Sequence, residues 1–277
     1  MLRWPHSGCE VNVTSHPKER AEPKVPAGTS SKGPLASVRG TPLTAATMTV
    51  VVGFFALAAC LFVFGTIAEG IRAHDVFTLD TTVTPYLHAQ ATPALDTVML
   101  SATFIGSNLV IPPLFVIAVV LLVRAHRPRE ALFLGIASVG SLVLNTTMKL
   151  IFQRPRPDFP WVTPPSDYSF PSGHTMNSLA FYVALAIVAW AVFGRRVGIP
   201  AIVAAVALAI VVGISRIYLG YHYFTDVFGG LLAGTGWLLI VGAAFRTGPL
   251  YGLWREAKPA GPESASETKA AAVGKRP

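Results

Sequence analysis

The 277-residue sequence predicts an all-α membrane protein with six transmembrane helices, and three observations carry that prediction. Apolar residues make up 52% of the chain before its 24 glycines are counted, above the level of an ordinary soluble domain. Charged residues make up only 13%, about half the usual quarter. The apolar residues gather into six runs, each near the roughly 20 residues a helix needs to cross a bilayer. This composition excludes a chain disordered throughout, and it excludes a soluble enzyme with a solvated shell. The net charge of +8 does not point to nucleic acid, because the basic residues cluster at the ends of apolar runs rather than interleaving with aromatics.

Residues 1–42 are rich in Pro, Ser, Gly, Lys and Glu without an apolar period, so a disordered tail is expected there. A signal peptide is not expected, since the first apolar run begins too far in and continues too long. The membrane domain is expected over 43–246, with spans near 44–68, 105–123, 131–150, 174–193, 197–219 and 227–245. The second span carries Pro112-Pro113, read as a tolerated kink. Residues 247–277 form a second polar tail, again expected to be disordered. Two cysteines, Cys9 in the first tail and Cys60 within the first span, are read as free thiols rather than a disulfide.

Six spans place both tails on one side, and the basic residues choose it. Seventeen of the 22 Lys and Arg lie in the two tails, in Arg246 at the edge of the second, and in the links carrying Arg124, Arg127, Arg129, Arg195 and Arg196. The positive-inside rule puts these in the cytoplasm. The Asn12-Val13-Thr14 sequon then also falls on the cytoplasmic side. The other five, Arg72, Lys149, Arg154, Arg156 and Arg216, lie on or near the opposite face, against the bias. Chemistry is sought there.

Three blocks stand at the extracytoplasmic ends of spans three to six. They are Lys149, six residues, Arg156-Pro157; then Pro171-Ser172-Gly173-His174; then Ser215-Arg216, five residues, His222, three residues, Asp226. Cations at a membrane boundary are costly unless paired, so Lys149, Arg156 and Arg216 call for a bound anion. Arginine forks match phosphate oxygens and lysine adds a point charge. Ser172 and Gly173 open a helix, where free backbone N–H groups and the dipole favour phosphate. His222 and Asp226, four apart, share a face if span six is already helical there. A carboxylate on one ring nitrogen fixes the tautomer and frees the other to attack phosphorus. His174 can then protonate the leaving oxygen.

This arrangement resembles the phosphatidic acid phosphatase type 2 superfamily, the lipid phosphate phosphatases. Their three-part signature, Lys-x6-Arg-Pro, Pro-Ser-Gly-His and Ser-Arg-x5-His-x3-Asp, is met without departure over a resemblance covering about 75–245. The resemblance implies a six-helix membrane fold and a metal-independent phosphatase without a cofactor. It also implies a covalent phosphohistidine on His222, with His174 as the acid.

The expectation is thus a multi-pass cell-membrane phosphatase with both termini cytoplasmic and the active site extracytoplasmic. Its substrate would be a lipid phosphate or polyprenyl diphosphate drawn from the bilayer. Two other readings remain open at this point: a lipid-linked phosphotransferase on the same scaffold, and an anion transporter. Arg154 is read either as a phosphate contact or as a snorkelling headgroup contact. Asp158 and Asp167 are read as loop structure rather than catalysis. His74, His88, Asp75, Asp80 and Asp96 are read as solvated loop residues, because their spacing fits no metal-ligand pattern.

Overall fold

The computed structural model describes residues 42–75 and 77–247. The tails expected at 1–42 and 247–277, with Cys9 and the Asn12 sequon, lie outside the described residues save for Pro42 and Thr247. Among the described residues there are eight helices and no strand: α1 (Pro42–Arg72), α2 (Thr78–His88), α3 (Pro93–Ile105), α4 (Ile111–Arg124), α5 (Pro128–Phe152), α6 (Gly173–Phe193), α7 (Arg195–Tyr218) and α8 (Phe224–Thr247). Five of them, α1 and α5 to α8, are long and apolar enough to cross a membrane. They match five of the six expected spans.

The second expected span is corrected. Residues 105–123 are not one helix: α3 ends at Ile105 and α4 begins at Ile111, both too short to cross alone. Pro112 and Pro113 do not kink a helix but open one, where a fixed φ and a missing N–H cost nothing. The break itself sits on Gly106, where an added Cβ would lie 2.5 Å from Val212 and 2.7 Å from the Ser178 hydroxyl. Its freed backbone is partly satisfied, since the Tyr182 hydroxyl donates to Ile105 O at 2.8 Å. Irregular backbone survives beside a bilayer when it is packed against protein in this way.

Helix α6 is the centre of the bundle. Half of its apolar window is buried, against 6% for α1. One face packs Phe181, Ala184 and Val188 against Phe133, Leu134 and Ala137 of α5 and Val241 and Phe245 of α8. Another packs Leu179, Val183 and Ala186 against Ala205 and Ala209 of α7. Lipid tails are as apolar as leucine, so close approach through small residues holds such helices together. The pair Gly230 and Gly234 shows this most directly. A Cβ at Gly230 would stand 2.8 Å from Ser172 O, and one at Gly234 would stand 3.2 Å from Met176 O. That approach sets the start of α8 against the start of α6, and the site is built there.

Candidate active site

The end of α5, the 153–172 loop, the start of α6, the end of α7 and the turn before α8 meet around a cavity of about 450 Å³. Its lining includes Lys149, Arg156, Gly173, His174, Arg216 and His222. Residues from all three sequence blocks are thereby brought together. Ser172 is not among the lining residues: its N–H donates to Asp226 O (2.9 Å), and its hydroxyl accepts from Thr175 (3.0 Å). Gly173 alone of that pair faces the cavity, at the first turn of α6, where N–H groups have no intrahelical acceptor. A side chain at Gly173 would crowd Asn145 Oδ1, at 2.9 Å. Ser215 serves its own helix, its hydroxyl donating to Val212 O (2.6 Å).

His222 and Asp226 meet, though not on one helical face. Helix α8 begins at Phe224, so His222 belongs to the preceding turn and Asp226 to the first turn of the helix. Asp226 Oδ2 accepts from Tyr223 N (2.9 Å), a carboxylate reaching back to the residue before the helix. The same oxygen accepts from the Ser169 hydroxyl and stands 3.4 Å from His222 Nδ1. With its proton on Nδ1, the ring presents the Nε2 lone pair, which lies 3.1 Å from Arg156 Nη1. Burial outweighs the nearby carboxylate and pushes the His222 pKa down to about 4, so the imidazole is neutral at physiological pH.

The three cations are held differently. Arg216 Nη1 donates to Thr103 Oγ1 (2.7 Å) and its guanidinium lies 4.2 Å from the Tyr221 ring centroid. Its Nε is buried without a partner, a donor awaiting an acceptor. Lys149 Nζ donates to Asp167 Oδ2 (2.5 Å) and Tyr168 O (2.7 Å). Arg156 donates from Nη2 and Nε to Asp167 Oδ1 (2.7 and 3.1 Å) and from Nη1 to Tyr221 O (2.7 Å). Partial burial raises the Asp167 pKa, but Lys149 and Arg156 together hold it below the usual carboxylate range.

Several outer residues differ from expectation. Asp167 is not mere loop structure; it covers two of the three cations. Asp80 is not solvated but 3% exposed, within α2. Arg154 is turned to two buried carboxylates: it pairs with Asp226 Oδ1 and Asp80 Oδ2, both at 2.6 Å. Asp96 accepts from the Tyr218 hydroxyl (2.5 Å), and His88 stacks on Trp161 at 4.1 Å between ring centroids. Ser169 was missed outright, and nothing in its neighbourhood of the sequence marks it.

The chain has relatives among known proteins. The family model of the PAP2 superfamily matches residues 130–247. Phosphatidylglycerophosphatase B of Bacillus subtilis (strain 168) is 32% identical over 177 residues, covering 63% of this chain and 87% of that protein. This chain belongs to the PAP2 superfamily. A second PAP2 relative, the undecaprenyl-diphosphatase BcrC of the same organism, is 29% identical over 156 residues, 54% of this chain and 73% of that protein. The crystal structure of a transmembrane PAP2-type phosphatidylglycerolphosphate phosphatase from Bacillus subtilis superposes with a TM-score of 0.64 at 27% identity. It covers 74% of this chain and 98% of that one. These PAP2 proteins are phosphatases, and so is this chain: a multi-pass hydrolase of phosphoester bonds, helical throughout its described secondary structure.

Proposed function

We propose that the protein hydrolyses a lipid phosphate or polyprenyl diphosphate at the extracytoplasmic face through a phosphohistidine on His222. The observation that carries the reading is the orientation of His222, with Nδ1 backed by Asp226 and Nε2 beside Arg156 in a cavity lined by three cations. In the first step Nε2 attacks phosphorus, the P–O bond to the lipid breaks, and His174 gives its proton to the departing oxygen. In the second, water attacks phosphorus, His174 takes the water's proton, and the N–P bond breaks to free phosphate. Lys149, Arg156 and Arg216 hold the non-bridging oxygens throughout and stabilise the charge of the five-coordinate state. Among the described residues, no three His, Cys, Asp or Glu side chains group to hold a metal. Cations of the chain itself do the neutralising in this reading.

A lipid substrate fits the cavity's rim. Leu142 and Leu150 of α5 line it and are 51% and 61% exposed on the apolar face of the helix. A headgroup can therefore reach the cations while its tails stay in the bilayer. The broken pair α3–α4 completes a sixth crossing, which returns both termini to the cytoplasm. The α4–α5 and α6–α7 links then carry their arginines on the inner side, opposite the site.

The test is phosphate release from a lipid panel by purified protein in detergent with EDTA present. Turnover of lipid phosphates or diphosphates in chelator supports the reading. Loss restored by magnesium contradicts the metal-free step, transfer to an added alcohol without free phosphate marks a phosphotransferase, and phosphate flux in liposomes without hydrolysis marks a transporter.

A further inference from the structure

We propose that Asp80 and Arg154 are positioning residues for the His222–Asp226 pair, with Asp80 drawing off the Arg154 charge so that Asp226 keeps its own for His222. This rests on His222 being the nucleophile, as argued above. Asp226 is fully buried, and each of its oxygens has a separate task. Oδ2 serves His222, Ser169 and Tyr223 N, whereas Oδ1 accepts from Arg154 Nη1 at 2.6 Å. The guanidinium lies 4.2 Å from the Tyr223 ring centroid and donates from Nη1 to Thr225 Oγ1 (2.8 Å) as well.

Arg154 and Asp226 alone would form a neutral pair, and a neutral pair projects little field toward the imidazole. Asp80 changes that balance. Its Oδ2 accepts from Arg154 Nη2 (2.6 Å) and from the Thr225 hydroxyl (2.7 Å), and its Oδ1 accepts from Thr225 N (2.8 Å). Two carboxylates now share one guanidinium, leaving one net negative charge buried directly behind His222. When Nε2 bonds to phosphorus with Nδ1 still protonated, the ring becomes cationic, and that net charge is its counter-ion. The same bonds fix direction. Asp80 holds both Thr225, the residue before Asp226, and Arg154, which bonds Asp226 Oδ1 from the 153–172 loop, so the carboxylate is braced against rotating Oδ2 away from Nδ1. Helix α2, far from the signature blocks in the chain, thereby belongs to the catalytic machinery without touching substrate.

The experiment is rapid-quench formation of the acid-labile phosphoenzyme, with steady-state kinetics, in wild type, Asp80→Asn, Asp80→Glu and Arg154→Lys. Asp80→Asn keeps shape and removes the charge. It should slow phosphorylation and kcat at least ~30-fold, with KM and inhibition by inorganic phosphate within about threefold, since the cradle is untouched. Asp80→Glu should recover a substantial part of the rate. Arg154→Lys keeps a positive charge but loses the fork, and should show the same split. It decides the matter should Asp80→Asn fail to fold. Wild-type phosphorylation rates in the folded variants overturn the inference. So does a parallel loss of rate, KM and phosphate inhibition, which marks a merely structural brace. If wild type itself forms no phosphoenzyme, the nucleophile assignment fails first, and this inference with it.

Discussion

Replacing Asp167 by Asn should make the protein bind phosphate more tightly. The Asp167 carboxylate takes one of the three Lys149 donors and the whole Nε–Nη2 edge of Arg156. A substrate phosphate needs those same donors, so the carboxylate must leave before the cradle closes on its ligand. The cost follows from the geometry. The Asp167 side chain is 53% exposed, which keeps each pair near the ~1 kcal/mol of a surface bridge rather than the larger figure of a buried one. Two cations give roughly 1–2 kcal/mol, or about 5- to 30-fold in the affinity of any anion that displaces it. Asp167→Asn should therefore lower the inhibition constants of inorganic phosphate and vanadate by about that factor and lower KM in the same direction. Competitive inhibition with a soluble phosphate ester measures it. Unchanged or weaker inhibition would refute the reasoning, by showing that Asp167 orients Arg156 for phosphate rather than competing with it.

The remaining predictions touch pH, sidedness and packing. His222 must be neutral to attack, and burial holds its pKa at about 4 in the free site, so activity should persist as pH falls through 6.5 and be lost near pH 4. Asp226→Asn removes the group that favours the charged ring and should move that acid limb of kcat/KM lower still, on top of a large fall in rate. Single cysteines in loop 158–170 should react with an impermeant thiol reagent in intact cells, while cysteines at 124–130 should react only after lysis. The opposite pattern inverts the topology. Gly230→Ala places a Cβ against the backbone oxygen of Ser172, which cannot move aside, and should cost about 1–3 kcal/mol in detergent unfolding.

The parts of the fold legible in the sequence were those that repeat a single physical signal. Five spans announce themselves because the bilayer demands some twenty apolar residues, and the structure places α1 and α5 to α8 on five of the expected runs. The α3–α4 break was hidden inside a stretch that averages as one apolar run. Only Gly106-Ser107-Asn108 interrupts it, and hydropathy averaging smooths that away. Helix α2 was missed because it is short, rich in Thr and interrupted by Pro85, a poor helix sequence that tertiary packing overrides. Helix α3 had a readable start. Thr92 precedes Pro93, and its hydroxyl accepts from Leu95 N at 3.2 Å, the usual N-cap pattern.

At the site, Lys149, Arg156, His174, Arg216 and His222 were legible because phosphate chemistry needs cations and histidines in a restricted set, whereas the lining residues Asn145 and Asn177 carry no such signal. The residues behind the lining were not legible. Asp80 reaches Thr225 across 145 positions, and nothing local distinguishes it from the solvated acids Asp75 and Asp158. Arg154 resembles any boundary arginine until Asp226 and Asp80 are seen on either side. Ser172 shows the converse, since a residue inside the signature spends its polar groups on Asp226 and Thr175 rather than on the cavity.

The central claim is that His222 carries the phosphoryl group and His174 the proton. Rapid-quench labelling from a radioactive phosphate ester with an acidic nitrophenolate leaving group tests it most directly, because that group departs without help from an acid. Wild type and His174→Ala should both form an acid-labile phosphoenzyme, and His222→Ala should form none. A phosphoenzyme that survives in His222→Ala and disappears in His174→Ala would contradict the account and reverse the two roles.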